Sequence, residues 1–219
     1  MDLTGAADLL IEAGRRLGAR GLISAGEGNL SLRLDTDRLL VTPSGRRKDE
    51  LERADFVVVW LGHPDREAVS PSGLGPSSDL AIHLAVHAAR PELGAVAHAH
   101  LPASMALTLA GEVPDPEALP DTAQLLPRLP FLPFGAMGSP ELAGRIATAL
   151  TEPPAPLANA VLLERHGALA VGADPATAVN RLELIEVLCR AWRDALLVRA
   201  ARSGAGIDAA AAPGSPAER

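Results

Sequence analysis

Tyrosine is absent from this sequence, and Phe56, Trp60, Phe131, Phe134 and Trp192 are its only aromatic residues. The core must therefore be assembled from Leu, Val, Ile and Ala, and no reaction can draw on a phenol. A single cysteine, Cys189, excludes an intrachain disulfide framework and fits a reducing compartment. Basic residues are outnumbered, 20 Lys and Arg against 27 Asp and Glu, and the formal charge of −7 speaks against a nucleic-acid binder with a basic face. No apolar run approaches the roughly 20 residues that cross a bilayer. Met1-Asp2 opens no basic segment leading into an apolar one, so no secretory signal is expected. These absences predict a soluble cytoplasmic protein with neither a nucleic-acid nor a membrane partner.

What is present is ordinary for a folded chain: 47% hydrophobic and 21% charged residues over 219 positions. That length suits one domain, expected over residues 1–202, followed by a flexible Ala/Gly/Pro-rich tail over 203–219. Apolar spacing predicts a helix over 3–20, closed by Gly21. Alternating Leu30, Leu32 and Leu34, then Leu39, Leu40 and Val41, predict a β-hairpin. Phe56–Trp60 reads as a central strand, Ser78 as the N-cap of a helix to about Ala89, and Gly94–Ala99 as a strand. A helix over Pro102–Ala110 follows, then a proline-punctuated stretch, 111–130, without a clear pattern. Phe131–Phe134 reads as a short strand, and Ser139 caps a helix to about Leu150. Strands at 161–163 and 168–171 flank a turn, and Asp174 caps a long helix to about Arg199. Interspersed helices and strands define the class as α/β with a mixed sheet.

Chemistry concentrates between Ser77 and His100. In an extended strand residues i and i+2 share a face, so His98 and His100 can reach one ion. Neutral imidazole is the commonest protein ligand for zinc. His166, in the turn between the last two strands, is a third candidate. Three imidazoles with one open position describe a catalytic zinc site, although the chain has six histidines and H-x-H alone is a weak signal. Asp79 could be a fourth ligand, a general base, or only an acid favoured in the first turn of a helix. Asp79, His83 and His87 also fall at i, i+4 and i+8 and could form a rival metal set, although packing or hydrogen bonding is the expected role of His83 and His87. Small residues in three loops, Gly28-Asn29-Leu30-Ser31, Ser44-Gly45 and Ser77-Ser78, can converge on an anion through backbone amides and hydroxyls. Arg46, Arg47 and Lys48 read as a solvated charge run.

In order, GNLS at 28–31, TPSG at 42–45, PSSD at 76–79, HAH at 98–100 and LLERHGALAVG at 162–172, followed by a long helix, resemble the class II aldolase/adducin-like family over about residues 5–200. The resemblance implies a three-layer α/β/α sandwich around a mixed, mainly antiparallel sheet, and a homotetramer with sites at subunit interfaces. By the same resemblance His98, His100 and His166 hold Zn2+ or another divalent transition metal. Gly28, Asn29, Ser44, Gly45, Ser77 and Ser78 would hold the phosphate of a small sugar phosphate, and Asp79 would be the catalytic acid/base. The family's aldolases and dehydratases carry glutamate at that position, whereas its epimerase branch carries aspartate. The catalytic tyrosines of the aldolase and epimerase branches have no counterpart. The expectation is a zinc-dependent aldolase-type lyase that cleaves a small ketose through an enediolate. The alternatives are an epimerase or dehydratase on the same scaffold, or a non-catalytic adducin-like interaction protein.

Overall fold

The computed structural model describes residues 2–63 and 66–204. Its elements are α1 (Leu3–Ala19), β1 (Asn29–Arg33), β2 (Arg38–Val41), β3 (Val57–Trp60), α2 (Leu80–Ala89), β4 (Ala95–Ala99), α3 (Pro102–Leu109), α4 (Pro120–Leu125), β5 (Phe131–Leu132), α5 (Pro140–Thr151), β6 (Ala160–Leu163), β7 (Gly167–Gly172) and α6 (Pro175–Gly204). The seven strands form one sheet in the order β3-β2-β1-β4-β7-β6-β5, antiparallel throughout except for the parallel pair β5 and β6.

Period-two alternation along the strands sorts side chains between two helical layers. Ala95, Ala97 and Ala99 of β4, Ala168 and Ala170 of β7, and Leu30 and Leu32 of β1 pack with Ala6, Leu10 and Leu17 of α1, Leu107 of α3, and Val179, Leu182 and Ile185 of α6. The opposite face, with Val96, Val161, Leu169 and Val171, packs against Ile82 and Val86 of α2 and Leu142 and Ile146 of α5. A smaller cluster of Leu39, Val41, Val57 and Val59 extends this second face beneath Leu80 and Leu84. The expected three-layer sandwich is thus the observed one. The scarcity of aromatics has a structural counterpart in the alanine-lined face, because a methyl side chain lets α6 lie close over the central strands. Cys189 belongs to this core, and burial pushes its thiol up to about 12, which makes it inert at neutral pH.

Four boundaries depart from the sequence reading. Phe56–Trp60 was expected at the centre of the sheet, yet β3 is an edge strand. Its apolar character reports burial rather than position, since Val69 bridges to Val58 across the outer edge and Leu80 and Leu84 cover one face. Helix α2 starts at Leu80, so Ser78 is not its cap; Asp79 occupies the cap position without capping, and Ser77 Oγ accepts from the Asp79 amide at 3.2 Å. The stretch 111–130 contains a 3-10 turn at Pro116–Ala118 and α4, each opened by a proline in its first turn. Helix α6 runs to Gly204, two residues into the expected tail, and the rest of that segment, 205–219, lies outside the described residues. The expected caps at Ser139 and Asp174 are both present, accepting from Leu142 N and Thr177 N.

Candidate active site

The antiparallel register pairs Asn29 of β1 with His98 of β4, and Leu169 of β7 with His98 on its other side. His98 shares the Val96 face, so its ring projects into the layer of α2 and α5. His166 sits in the turn between β6 and β7, where Arg165 and Gly167 both adopt positive φ, 57° and 85°. His100 follows β4 directly, and the next residue, Leu101, is held at φ 48° although fully buried. Ala25, at φ 48° in the loop leading to Glu27, completes the set of non-glycine residues with positive φ among those described. All three flank the same site, and strain of this kind persists only where the surroundings over-determine it.

Here His98, His100 and His166 converge. Ring centroids are 4.6 to 5.3 Å apart, and one nitrogen from each lies within 4.8 Å of the others. His98 Nδ1 is 2.9 Å from the Ala168 carbonyl and must donate to it, which leaves Nε2 as a lone pair. His100 Nδ1 is 2.9 Å from Glu27 Oε2, and Glu27 is itself anchored through Oε1 by Ser24 N at 2.7 Å. Outer acceptors that hold one imidazole nitrogen and aim the other are the usual support of metal-binding histidines. Among the described residues five buried side-chain nitrogens or oxygens lack a hydrogen-bond partner, and four of them are His98 Nε2, both nitrogens of His166, and Asp79 Oδ1. Such atoms are costly unless another group satisfies them. The donor set therefore fits a divalent metal.

Burial pushes His98 down to about 3 and also lowers His166, so both imidazoles are neutral at physiological pH and available as donors to a metal. Asp79 stands outside the imidazole cluster. Burial alone would raise its carboxyl, but His98, the Asn29 amide, His166 and His83 together hold it below the usual carboxylate range. An ionised carboxylate with one free oxygen next to three imidazoles is suited to carry a proton.

The three small-residue loops do converge. Ser44 N donates to Gly75 O at 3.1 Å, Ser77 N to Thr42 O at 3.1 Å, and Pro43 bridges to Pro76. Gly28, Asn29, Ser44, Gly45, Ser77, Ser78, Asp79 and His100 all line one cavity of about 240 Å³. A side chain at Gly28 would meet His98 O at 2.9 Å, so glycine there lets the loop lie against β4. Gly167 is tighter still: a Cβ would come within 2.2 Å of Ala99 O and 2.5 Å of His100 Cα. Gly167→Ala adds left-handed strain to that clash and is expected to cost about 3 kcal/mol or more. Urea unfolding midpoints would register it, and a variant of wild-type stability would contradict the geometry.

His83 and His87 are the expected hydrogen-bonding residues and do not form the rival metal set. Both nitrogens of His83 and of His87 are engaged in hydrogen bonds, with Asn29 and Ser31 for the first and with Ser31 and Arg33 for the second. Lys48 corrects the reading of a solvated charge run. Arg46 and Arg47 are exposed, but Lys48 is buried beside the cavity with Nζ on Gly26 O at 2.8 Å and Arg46 O at 2.6 Å. No spacing rule separates it from its neighbours. Glu27 likewise gave no signal beyond lying between two glycines.

The model of the Class II Aldolase and Adducin N-terminal domain matches residues 8–193. The chain belongs to that family. It is similar to a methylthioribulose-1-phosphate dehydratase of Acidiphilium cryptum, 36% identical over 189 residues, 82% of this chain and 85% of that protein. It is also similar to a 3-oxo-tetronate 4-phosphate decarboxylase of Haemophilus influenzae, 31% identical over 184 residues, 82% of either chain. The solved structure of the l-fuculose-1-phosphate aldolase from Thermus thermophilus superimposes with a TM-score of 0.72 at 27% identity, covering 93% of this chain and 98% of that one. No helix of this class II aldolase-type fold is, among the described residues, long and apolar enough to cross a membrane.

Proposed function

We propose that this chain is a divalent-metal-dependent lyase of a small ketose phosphate, acting through an enediolate. The observation that carries the reading is the convergence of three imidazoles, two of them with outer acceptors on Nδ1, with a carboxylate that has one free oxygen, at the edge of a cavity ringed by Ser44, Gly45, Ser77 and Ser78. His98, His100 and His166 would hold the metal, and three imidazoles with an open position suit zinc. When bound, it would supply a Lewis acid beside the ketone oxygen, where negative charge develops.

The residues of the chain do the rest. Ser44, Ser77 and Ser78, with the loop amides, would grip the phosphate, and Lys48 would add the positive charge that a dianion demands. Asp79 Oδ1 would carry the proton. In retro-aldol cleavage the β-hydroxyl loses a proton as the bond between the α- and β-carbons breaks. In dehydration the α-carbon loses the proton and the β-hydroxyl leaves as water. Both routes put charge on the same enediolate oxygens, so one scaffold can serve either. The chain's lack of tyrosine and its likeness to a dehydratase favour water loss over aldol cleavage. A homotetramer belongs to the proposal; exposed apolar Leu109, Leu125, Phe134 and Met137, the last lining the cavity, are surface that subunit contact would bury.

Mass spectrometry of ketose 1-phosphates incubated with the zinc-loaded protein tests the reading: loss of water marks dehydration, and release of an aldehyde marks cleavage. Asp79→Asn, which keeps the shape and removes the base, should lower kcat by about 100-fold or more with metal content unchanged. Wild-type turnover in that variant would remove Asp79 from its role.

A further inference from the structure

Behind Asp79 lies a buried chain of hydrogen bonds that the proposed chemistry does not use. Asp79 Oδ2 is 2.8 Å from Asn29 Nδ2, and Asn29 Oδ1 is 2.6 Å from His83 Nε2. His83 Nδ1 is 2.7 Å from Ser31 Oγ, which is 2.9 Å from His87 Nε2. His87 Nδ1 ends the chain 3.3 Å from Nη2 of Arg33. Asn29, Ser31, His83, His87 and Asp79 are all at most 5% exposed.

The two ends fix the direction of every link. An ionised carboxylate only accepts, so Asn29 must present its NH2 to Asp79 and its carbonyl oxygen to His83. His83 then carries its proton on Nε2 and accepts on Nδ1 from the Ser31 hydroxyl. Ser31 in turn accepts from His87 Nε2–H, and His87 Nδ1 is left as a lone pair. Arg33, a pure donor, is the group placed at that lone pair, with its other Nη2 proton on His87 O and its Nε on Leu93 O at 3.1 Å. The demand of the carboxylate and the supply of the guanidinium agree across the four side chains between them. An amide cannot pass a proton along without changing its tautomer, so the chain orients rather than conducts.

We infer that His83, Ser31 and His87 are positioning residues, whose one-way hydrogen bonds lock the Asn29 amide and through it the Asp79 carboxylate, leaving Oδ1 free for the substrate. The inference rests on Asp79 as the proton carrier, but two of its readouts do not need turnover. Nitrogen-15 NMR of the neutral, metal-free protein should show His83 and His87 both as the Nε2–H tautomer. A Nδ1–H ring at either position, for instance His87 turned to the Leu93 carbonyl, would overturn the chain's direction. Crystal structures of His83→Phe and His83→Gln test its purpose. The phenyl ring deletes both links, and Asp79 should leave its wild-type rotamer; the glutamine amide restores a donor toward Asn29 and an acceptor toward Ser31, and Asp79 should stay. An unmoved Asp79 in the phenylalanine variant refutes positioning even if no substrate is found. Should that variant not fold, Ser31→Ala, which removes a single hydroxyl, makes the same test. Where turnover is measurable, His83→Phe should lower kcat up to about 100-fold with KM within about twofold, and His83→Gln should recover most of it. Equal loss in both variants would mark a merely structural role.

Discussion

Replacing His98 with alanine is expected to abolish stoichiometric metal binding and to reduce turnover by well over 100-fold, which exceeds the 10- to 100-fold cost typical of losing only an outer partner of a metal ligand. Three features of His98 make it the most sensitive of the three. It stands on the central strand β4, between β1 and β7, and is 2% exposed. Its tautomer is set by the Ala168 carbonyl, so Nε2 has no role other than that of a ligand or an unsatisfied acceptor. Its backbone faces Asn29 across the ladder, which ties His98 to the amide that holds Asp79. Metal analysis by mass spectrometry should find about one ion per chain in the wild type and none in the variant. Thermal unfolding gives an independent readout. Ligand that binds only the native state stabilises it by about 4 kcal/mol at a thousandfold excess over Kd, so added zinc should raise the wild-type Tm and leave His98→Ala unmoved. Equal metal in both proteins would remove His98 from the centre and with it the Lewis acid of the proposed reaction.

How much of this was legible in the sequence varies with the physics involved. The order of the elements outside 111–130, the caps at Ser139 and Asp174, and the pairing of His98 with His100 follow from local rules of period and capping, and the structure has them. The position of β3 at an edge was not legible, because a valine run reports that both faces are covered without saying which neighbours cover them. Bringing His166 onto His98 and His100 depends on pairing β4 with β7, about 70 residues apart, which spacing cannot supply; the motif order of the family supplied the expectation instead. Lys48 and Glu27 were invisible for a different reason. Their roles arise from which carbonyls and which imidazole a folded loop happens to present, and neither residue type carries a signature for that. His83 and His87 were visible as a helical stripe with hydrogen bonding as their expected role, but their shared partner was not, since the hydroxyl between them, Ser31, arrives from another strand.

That same buried stripe predicts a steep loss of stability in acid. Burial holds His83 down at about 4, against the pull of Asp79, and burial reinforced by His83 and Arg33 holds His87 at about 3, whereas both would titrate near 6.5 in the unfolded chain. Between those values the unfolded chain binds protons that the native one refuses, so unfolding takes up protons and stability rises with pH. The contribution of each imidazole is complete above pH 6.5 and is lost as pH falls toward 4 and 3. At pH 5 each has forfeited roughly 2 kcal/mol, at about 1.36 kcal/mol per unit of displacement, and the pair about 4 kcal/mol. Domains are stable by only 5–15 kcal/mol, so this is a large share of the whole, and His98 and His166 shift in the same direction. Urea unfolding of the metal-free protein should therefore lose at least about 4 kcal/mol between pH 7.5 and 5. Calorimetry in buffers of different ionisation heat should find uptake of about two protons or more on unfolding at pH 5. His87→Gln, which keeps a donor toward Ser31 but cannot titrate, should reduce that uptake by about one proton and flatten the acid limb. A stability profile indifferent to pH across this range would mean that the imidazoles are not held neutral, and the one-way chain behind Asp79 would lose its physical basis.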